Sequence, residues 1–258
     1  MSYQIIETHC HLDYLKEKPL AEILQEAKDN GVERIITIAV EPDNLDEVMK
    51  LADENEMIFF TQGTHPHDAK LSSDKDLATV EERCSHKKMV AVGEIGLDYH
   101  YDHSPREKQI EVFKQHLEIA IKKQKPVVIH TREADEDMMK ILSEYAPRLS
   151  KKGVVHSFSS GAELAKKALE LGFYLGFNGM ITFKKAQNVR DIVAFCPLDQ
   201  LLLETDSPFL TPVPHRGKEN SPAKLPHILE KVAEIKNLTP EEVATTCFQN
   251  SMDLFFQN

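Results

Sequence analysis

Two imidazoles one residue apart, His9 and His11, close the short apolar run Tyr3-Gln4-Ile5-Ile6. In an extended strand alternate side chains point the same way, so Glu7, His9 and His11 are expected on one face of a strand terminus. That spacing suits metal ligation, while Cys10 between them faces away and reads as a buried structural thiol. A His-x-His pair gains weight only if further donors fall in equivalent places. They do: Glu94 in Gly93-Glu94-Ile95-Gly96-Leu97-Asp98, His130 in His130-Thr131-Arg132, His156 in His156-Ser157-Phe158 and Asp206 in Glu204-Thr205-Asp206-Ser207-Pro208 each end or follow an apolar run.

Ionisable groups at the tips of apolar strands are costly unless paired or metal-bound. Four imidazoles and two carboxylates exceed the needs of one tetrahedral ion and suit two divalent ions that share a bridging carboxylate and a bridging water. The chemistry would be hydrolysis, with the water made acidic enough to supply hydroxide near neutral pH and the oxygen of the cleaved bond polarised. Two residues are expected to be catalytic: Glu94 as the bridge, and Asp206 as a ligand that also takes the proton from the nucleophilic water. Imidazole-rich sites accept Zn, Mn, Fe, Co or Ni, whereas Mg prefers oxygen, so the donor set leaves the ion's identity open.

The remaining polar residues receive weaker readings. His65 and His67 flank Pro66 and are expected to shape the pocket or contact a substrate phosphate rather than serve as primary ligands. Arg132 is placed to meet an anionic substrate through its guanidinium fork. Asp98 is expected to orient a metal ligand, with capping of a helix near Ser104 as the alternative. His86, His100, His103 and His116 read as solvated.

The elements that must position these groups alternate eight times. Strand-like runs occur at Gln4–Thr8, Arg34–Ala39, Ile58–Gly63, Val90–Glu94, Val127–His130, Val154–His156, Tyr174–Phe177 and Leu201–Glu204. Between them apolar residues recur at helical spacing, as in Ile110-Phe113-Leu117-Ile121. Eight such units with continuously apolar strands predict an α/β fold, a TIM-like (β/α)8 barrel filling residues 1–258 as one domain. The rival doubly wound sheet would place a Gly-rich loop where Thr8-His9-Cys10-His11 stands. Pro240–Phe256 reads as a final amphipathic helix through Val243, Cys247, Phe248, Met252 and Phe255.

Composition bounds the function further. A net charge of −11 over 258 residues argues against broad electrostatic capture of nucleic acid, though it leaves room for a local phosphate site. The start Met1-Ser2-Tyr3-Gln4 lacks a signal-peptide pattern, the apolar runs are strand-length, and Cys10, Cys84, Cys196 and Cys247 are scattered. The expectation is a cytoplasmic monomer with reduced thiols, no membrane association and no obligate protein partner.

Together Glu7-Thr8-His9-Cys10-His11-Leu12-Asp13, Gly93-Glu94-Ile95-Gly96-Leu97-Asp98-Tyr99, Val128-Ile129-His130-Thr131-Arg132, His156-Ser157-Phe158 and Glu204-Thr205-Asp206-Ser207-Pro208 resemble the TatD family of metal-dependent hydrolases. The resemblance spans nearly the whole chain and implies a barrel of the metallo-dependent hydrolase type, with deoxyribonuclease as the usual assignment and Mg as the usual activator. By matching position it implies His9, His11, Glu94, His130, His156 and Asp206 as metal ligands. Pro214–Pro222 resembles the family's Arg-and-Asn loop, which implies that Arg216 and Asn220 bind substrate or shape its entrance; a Pro-bounded surface turn is the alternative. One position departs. The family usually has Asp where this chain has Glu7, which would sit behind the metal histidines and influence their orientation.

The function expected from these residues is cleavage of DNA phosphodiester bonds, exonuclease-like, at single-stranded or frayed ends, with Arg132 and Arg216 on the flanking phosphate. The same centre could instead hydrolyse an amide or ester, including a mischarged aminoacyl-tRNA. A metal-binding scaffold without turnover is the non-enzymatic reading. A carbamylated lysine bridge, used by some related barrels, would need Lys where Glu94 stands.

Overall fold

The computed structural model describes residues 3–257. Eight parallel strands, β1 (Ile5–Cys10), β2 (Val32–Ala39), β3 (Ile58–Gln62), β4 (Met89–Asp98), β5 (Val127–Arg132), β6 (Gly153–Val155), β7 (Tyr174–Phe177) and β8 (Leu201–Leu203), neighbour one another in sequence order. Helices α1 (Leu20–Asp29), α2 (Leu45–Glu54), α3 (Asp74–Arg83), α4 (Arg106–Lys123), α5 (Asp135–Tyr145), α6 (Ala162–Glu170) and α7 (Gln187–Phe195) join successive strands. A Pro-rich loop leads from β8 to α8 (Leu225–Lys236) and α9 (Pro240–Ser251). The seam between β1 and β8 is closed by Asp206 N donating to His9 O at 2.9 Å and His11 N to Ser207 O at 2.8 Å. Thr8 Oγ1 adds a bond to Leu203 O at 2.9 Å. The fold is the (β/α)8 barrel expected from the alternation.

Alternation along each strand divides the apolar side chains into two layers. Ile35, Val127, Ile129, Leu201 and Leu203 pack outward in one core with Phe113, Leu117, Met138 and Leu164 of the helices. Ile36, Ile38, Val128, Val154 and Leu202 form a second, interior core together with Leu254 and Phe255. Those last two belong to a π-helical turn, Met252–Phe256, so the single terminal helix expected from the sequence ends at Ser251 and its continuation plugs the barrel.

Two strands differ from expectation in ways that matter for the site. β4 continues to Asp98 because its glycines, which resemble a strand end, serve a bulge: Val92 pairs with Val127 but Ile95 with Ile129, three residues against two. Gly96 has φ 145°, and a Cβ there would lie 2.0 Å from the His130 carbonyl oxygen. β1 likewise slips against β2 between Glu7, paired with Ile35, and Cys10, paired with Thr37. The unbroken alternation expected from Glu7 to His11 is therefore interrupted.

His116 is a third correction. It is fully buried on α4, where its Nδ1 donates to Val112 O at 2.9 Å, and burial pushes its pKa down to about 4. Among the described residues no helix is long and apolar enough to cross a membrane.

Candidate metal centre

Strand length and register bring the predicted donors to one rim, at the C-terminal ends of the strands, around a cleft of about 600 Å³. Glu94, 2% exposed, is at the middle. Its Oε1 lies 2.6 Å from His156 Nε2 and 3.0 Å from His130 Nδ1, and its Oε2 lies 3.3 Å from His9 Nε2. Asp206 Oδ1 stands 3.6 Å from His11 Nε2 and 3.8 Å from His9 Nε2. Asp206 is held at φ 57°, a left-handed backbone that non-glycine residues adopt at a cost, by the bond from its N–H to β1.

Three overlapping sets of donors are close enough to hold an ion: His9, His11 and Asp206; His9, Glu94 and His156; His65, Glu94 and His130. The third set contains His65, whose Nε2 is 3.5 Å from Glu94 Oε1. From the sequence His65 is expected to shape the pocket or contact a substrate phosphate, because Pro66 points to a loop; its approach to Glu94 makes it a candidate donor as well. The donor chemistry fits divalent ions. Both ring nitrogens of buried His9 lack a hydrogen-bond partner, an arrangement that is expensive unless a nitrogen is coordinated.

Electrostatics at the centre is governed by mutual neutralisation. Burial alone would raise the Glu94 carboxyl, but His156, His65 and His9 hold it well below its usual range. Burial pushes His9 down, aided by His156, and pushes His65 well down. His11, His130 and His156 move the other way against burial, held up by Asp206, by Asp98 with Glu94, and by Glu94 with Glu204 respectively. Burial works against ionisation of Asp206 too, yet His11 and His9 keep its carboxyl below the ordinary value.

The surrounding groups fix which ring nitrogen faces the centre. Asp98 Oδ2 accepts from both His130 Nε2 and His67 Nε2, each at 3.0 Å, which leaves His130 Nδ1 toward Glu94. This gives Asp98 the orienting role. His11 Nδ1 donates to Ile38 O at 3.2 Å, leaving Nε2 toward Asp206. Glu7 Oε1 accepts from His9 N at 3.1 Å and Thr205 N at 2.9 Å, so this carboxyl braces the β1–β8 seam directly behind His9.

Glu204 is a member the sequence reading passed over. It is fully buried, accepts from Ser157 N at 2.5 Å, and lies 3.7 Å from His156 Nδ1. Gly176 makes room for it, since a Cβ there would fall 2.3 Å from Glu204 Oε2. Its place two residues before Asp206 was the available signal.

The expected substrate residues separate. Arg132 and His67 line the cleft. Asn220 does not reach it: it is fully buried, and its Nδ2 donates to Thr205 O at 2.9 Å and Phe209 O at 2.6 Å, bracing the loop that carries Asp206. Its Oδ1 accepts from Ser221 N at 3.0 Å, so the whole amide is engaged by neighbouring backbone. Arg216 is turned away onto the Phe183 ring, 3.8 Å from its centroid, and donates to Thr211 O at 3.3 Å.

Residues 6–256 match the family model described as TatD related DNase. The chain is 39% identical over 252 residues to an uncharacterized metal-dependent hydrolase of Bacillus subtilis, covering 97% of this chain and 98% of that one. It is 36% identical over 255 residues to an uncharacterized metal-dependent hydrolase of Escherichia coli K12, covering 97% and 95%. A crystal structure of a TatD homolog from Escherichia coli K12, YjjV, superposes with a TM-score of 0.93 at 32% identity, each chain covered in full. The crystal structure of a TatD family hydrolase from Entamoeba histolytica, 22% identical, shares the fold with a TM-score of 0.86.

Proposed function

Because this chain belongs to the TatD family and is a metal-dependent hydrolase, we propose that it cleaves phosphodiester bonds of DNA, working inward from single-stranded or frayed ends. The observation that carries this reading is the Glu94-centred donor set in a cleft whose lining has a single Lys or Arg, Arg132, among the described residues. Bound there by His9, His11, His65, Glu94, His130, His156 and Asp206, two divalent ions would supply acidified water and polarise the scissile bond.

The chain's own residues account for the rest. Asp206, ionised at neutral pH and at the edge of the donor ring, accepts the proton of the attacking water. Arg132 offers two parallel donors to a phosphate. Asp98 and Glu7 hold His130 and His9 in place, so the donor ring is set before substrate enters. A cleft of about 600 Å³ has room for a short length of one strand, which favours a chain that has lost its partner.

The test is metal analysis of freshly purified protein, then chelation and re-addition of Mg, Mn and Zn during digestion of end-labelled oligonucleotides. Linear single strands are expected to be shortened from their ends. Closed circular duplex cut as fast would overturn the end preference, and inertness with every ion would overturn the nuclease reading. The same donor set supports, as a second reading, hydrolysis of an amide or ester such as a mischarged aminoacyl-tRNA, since a metal-activated water attacks carbonyl carbon as well as phosphorus. Turnover of an acylated tRNA beside an oligonucleotide separates the two.

A further inference from the structure

In a closed barrel of eight strands in sequence order, β4 and β8 stand on opposite sides. The loop after each raises one exposed aromatic ring over the same cleft: Tyr101, 50% exposed, and Phe209, 51% exposed. The other large apolar side chains that are exposed among the described residues, Leu71, Phe195, Val213 and Leu238, lie outside it.

Both rings are tied to the donor ring by backbone bonds. Tyr101 N donates to Asp98 Oδ1 at 3.1 Å, and Asp98 is the carboxylate that orients His130. Phe209 N donates to Asp206 O at 2.9 Å, its carbonyl is held by Asn220, and its ring is 6.2 Å from that of His11. Tyr101 is braced by the parallel ring of His103, centroids 5.6 Å apart, while the Arg132 guanidinium sits 4.7 Å from its own centroid. A phosphate entering beside Arg132 would draw that guanidinium off the ring and open it to a flat partner.

We propose that Tyr101 and Phe209 stack the bases on the two sides of the scissile phosphate, so that the unit recognised is one unpaired dinucleotide step. This rests on the nuclease reading and names its substrate more closely. Bases in a duplex already cover each other's faces, so a stacking pair selects an unpaired chain, and it does so with little sequence preference because every base has a π face.

The test uses single-stranded oligonucleotides carrying a normal or an abasic residue on either side of the cleaved bond, with metal-loaded protein. The parent is expected to prefer the base-bearing substrate by about five- to a hundredfold in kcat/KM, mostly through KM. Tyr101→Leu should flatten the preference on one side of the bond and Phe209→Leu on the other, while Tyr101→Phe and Phe209→Tyr retain it. A parent that digests oligonucleotides with the same preference as both Leu variants overturns this inference alone. A parent inert to every oligonucleotide overturns the nuclease reading and this inference with it.

Discussion

His9 and His156 stack face to face across the barrel mouth, their ring centroids 3.8 Å apart and their planes 3° from parallel. They come from β1 and from just beyond β6, yet both present Nε2 to Glu94. Two imidazolium rings at that separation would repel, and the pair divides accordingly, with His9 pushed down by burial and His156 held up, against burial, by Glu94 and Glu204.

Metal uptake should therefore release protons. His11, His130 and His156 are raised, so in the metal-free chain they hold their protons to higher pH than a free imidazole does, and an ion competes with those protons. Affinity should strengthen as pH rises and weaken as it falls. Calorimetric titration in two buffers of different ionisation enthalpy would count the protons released, and a count of zero would show that the rings were already neutral.

Glu94→Gln is expected to abolish metal-dependent turnover. The carboxylate faces four imidazoles, His9, His65, His130 and His156, and an amide there ligates poorly and leaves them uncompensated. Elemental analysis should show lost metal, whereas full occupancy with normal rates would remove Glu94 from the centre.

Asp98→Asn should behave differently. Donors stay in place but His130 and His67 lose a charged acceptor, and losses of about ten- to a hundredfold in activity or metal affinity are typical of such partners. Parallel assays of turnover and metal content on the Glu94 and Asp98 variants check the contrast.

Glu7 is the buried carboxyl whose substitution should cost least when its charge is removed. Burial pushes it up to about 8, so in the metal-free chain it is neutral at pH 7, and Glu7→Gln preserves an acceptor for His9 N and Thr205 N. Glu7→Ala strands both donors and should cost about 3 kcal/mol, or roughly 6–12 °C in Tm for a chain of this size. Thermal melts under chelation should show the Gln variant close to the parent; equal losses in the two variants would contradict a neutral Glu7.

His116 predicts acid sensitivity away from the metal centre. Its folded pKa of about 4 lies below the ordinary His value of about 6.5, so the unfolded chain binds the extra proton between those limits. Its contribution is complete above about pH 6.5 and is lost as pH falls toward 4, amounting to about 2 kcal/mol at pH 5. Urea unfolding at pH 7 and pH 5 should show a smaller loss for His116→Leu than for the parent; identical losses would acquit His116.

The barrel and the rim of donors were legible because period and residue type are local signals. Eight apolar runs, each tipped with His, Glu or Asp, carry both. What escaped depends on contacts between distant segments. Gly93 and Gly96 look like the end of a strand, and only the proximity of β5 shows that they extend one. His116 lies beside an apolar stripe that tertiary packing widens to include Val112, Phe113, Leu117, Ile119 and Ala120. The enclosure of Asn220 and the turning of Arg216 onto Phe183 depend on the path of a long loop, which composition does not encode.

The last turn of the chain fills the end of the barrel away from the donor ring, with Leu254 and Phe255 in the interior core and Phe256 packed against Phe59 beneath the Arg34 guanidinium. That end of the barrel is thereby stoppered, and the cleft that reaches the donors lies at the opposite rim. Under the nuclease reading proposed above, a strand would enter and its released fragment would leave on the donor side, because the opposite end is filled.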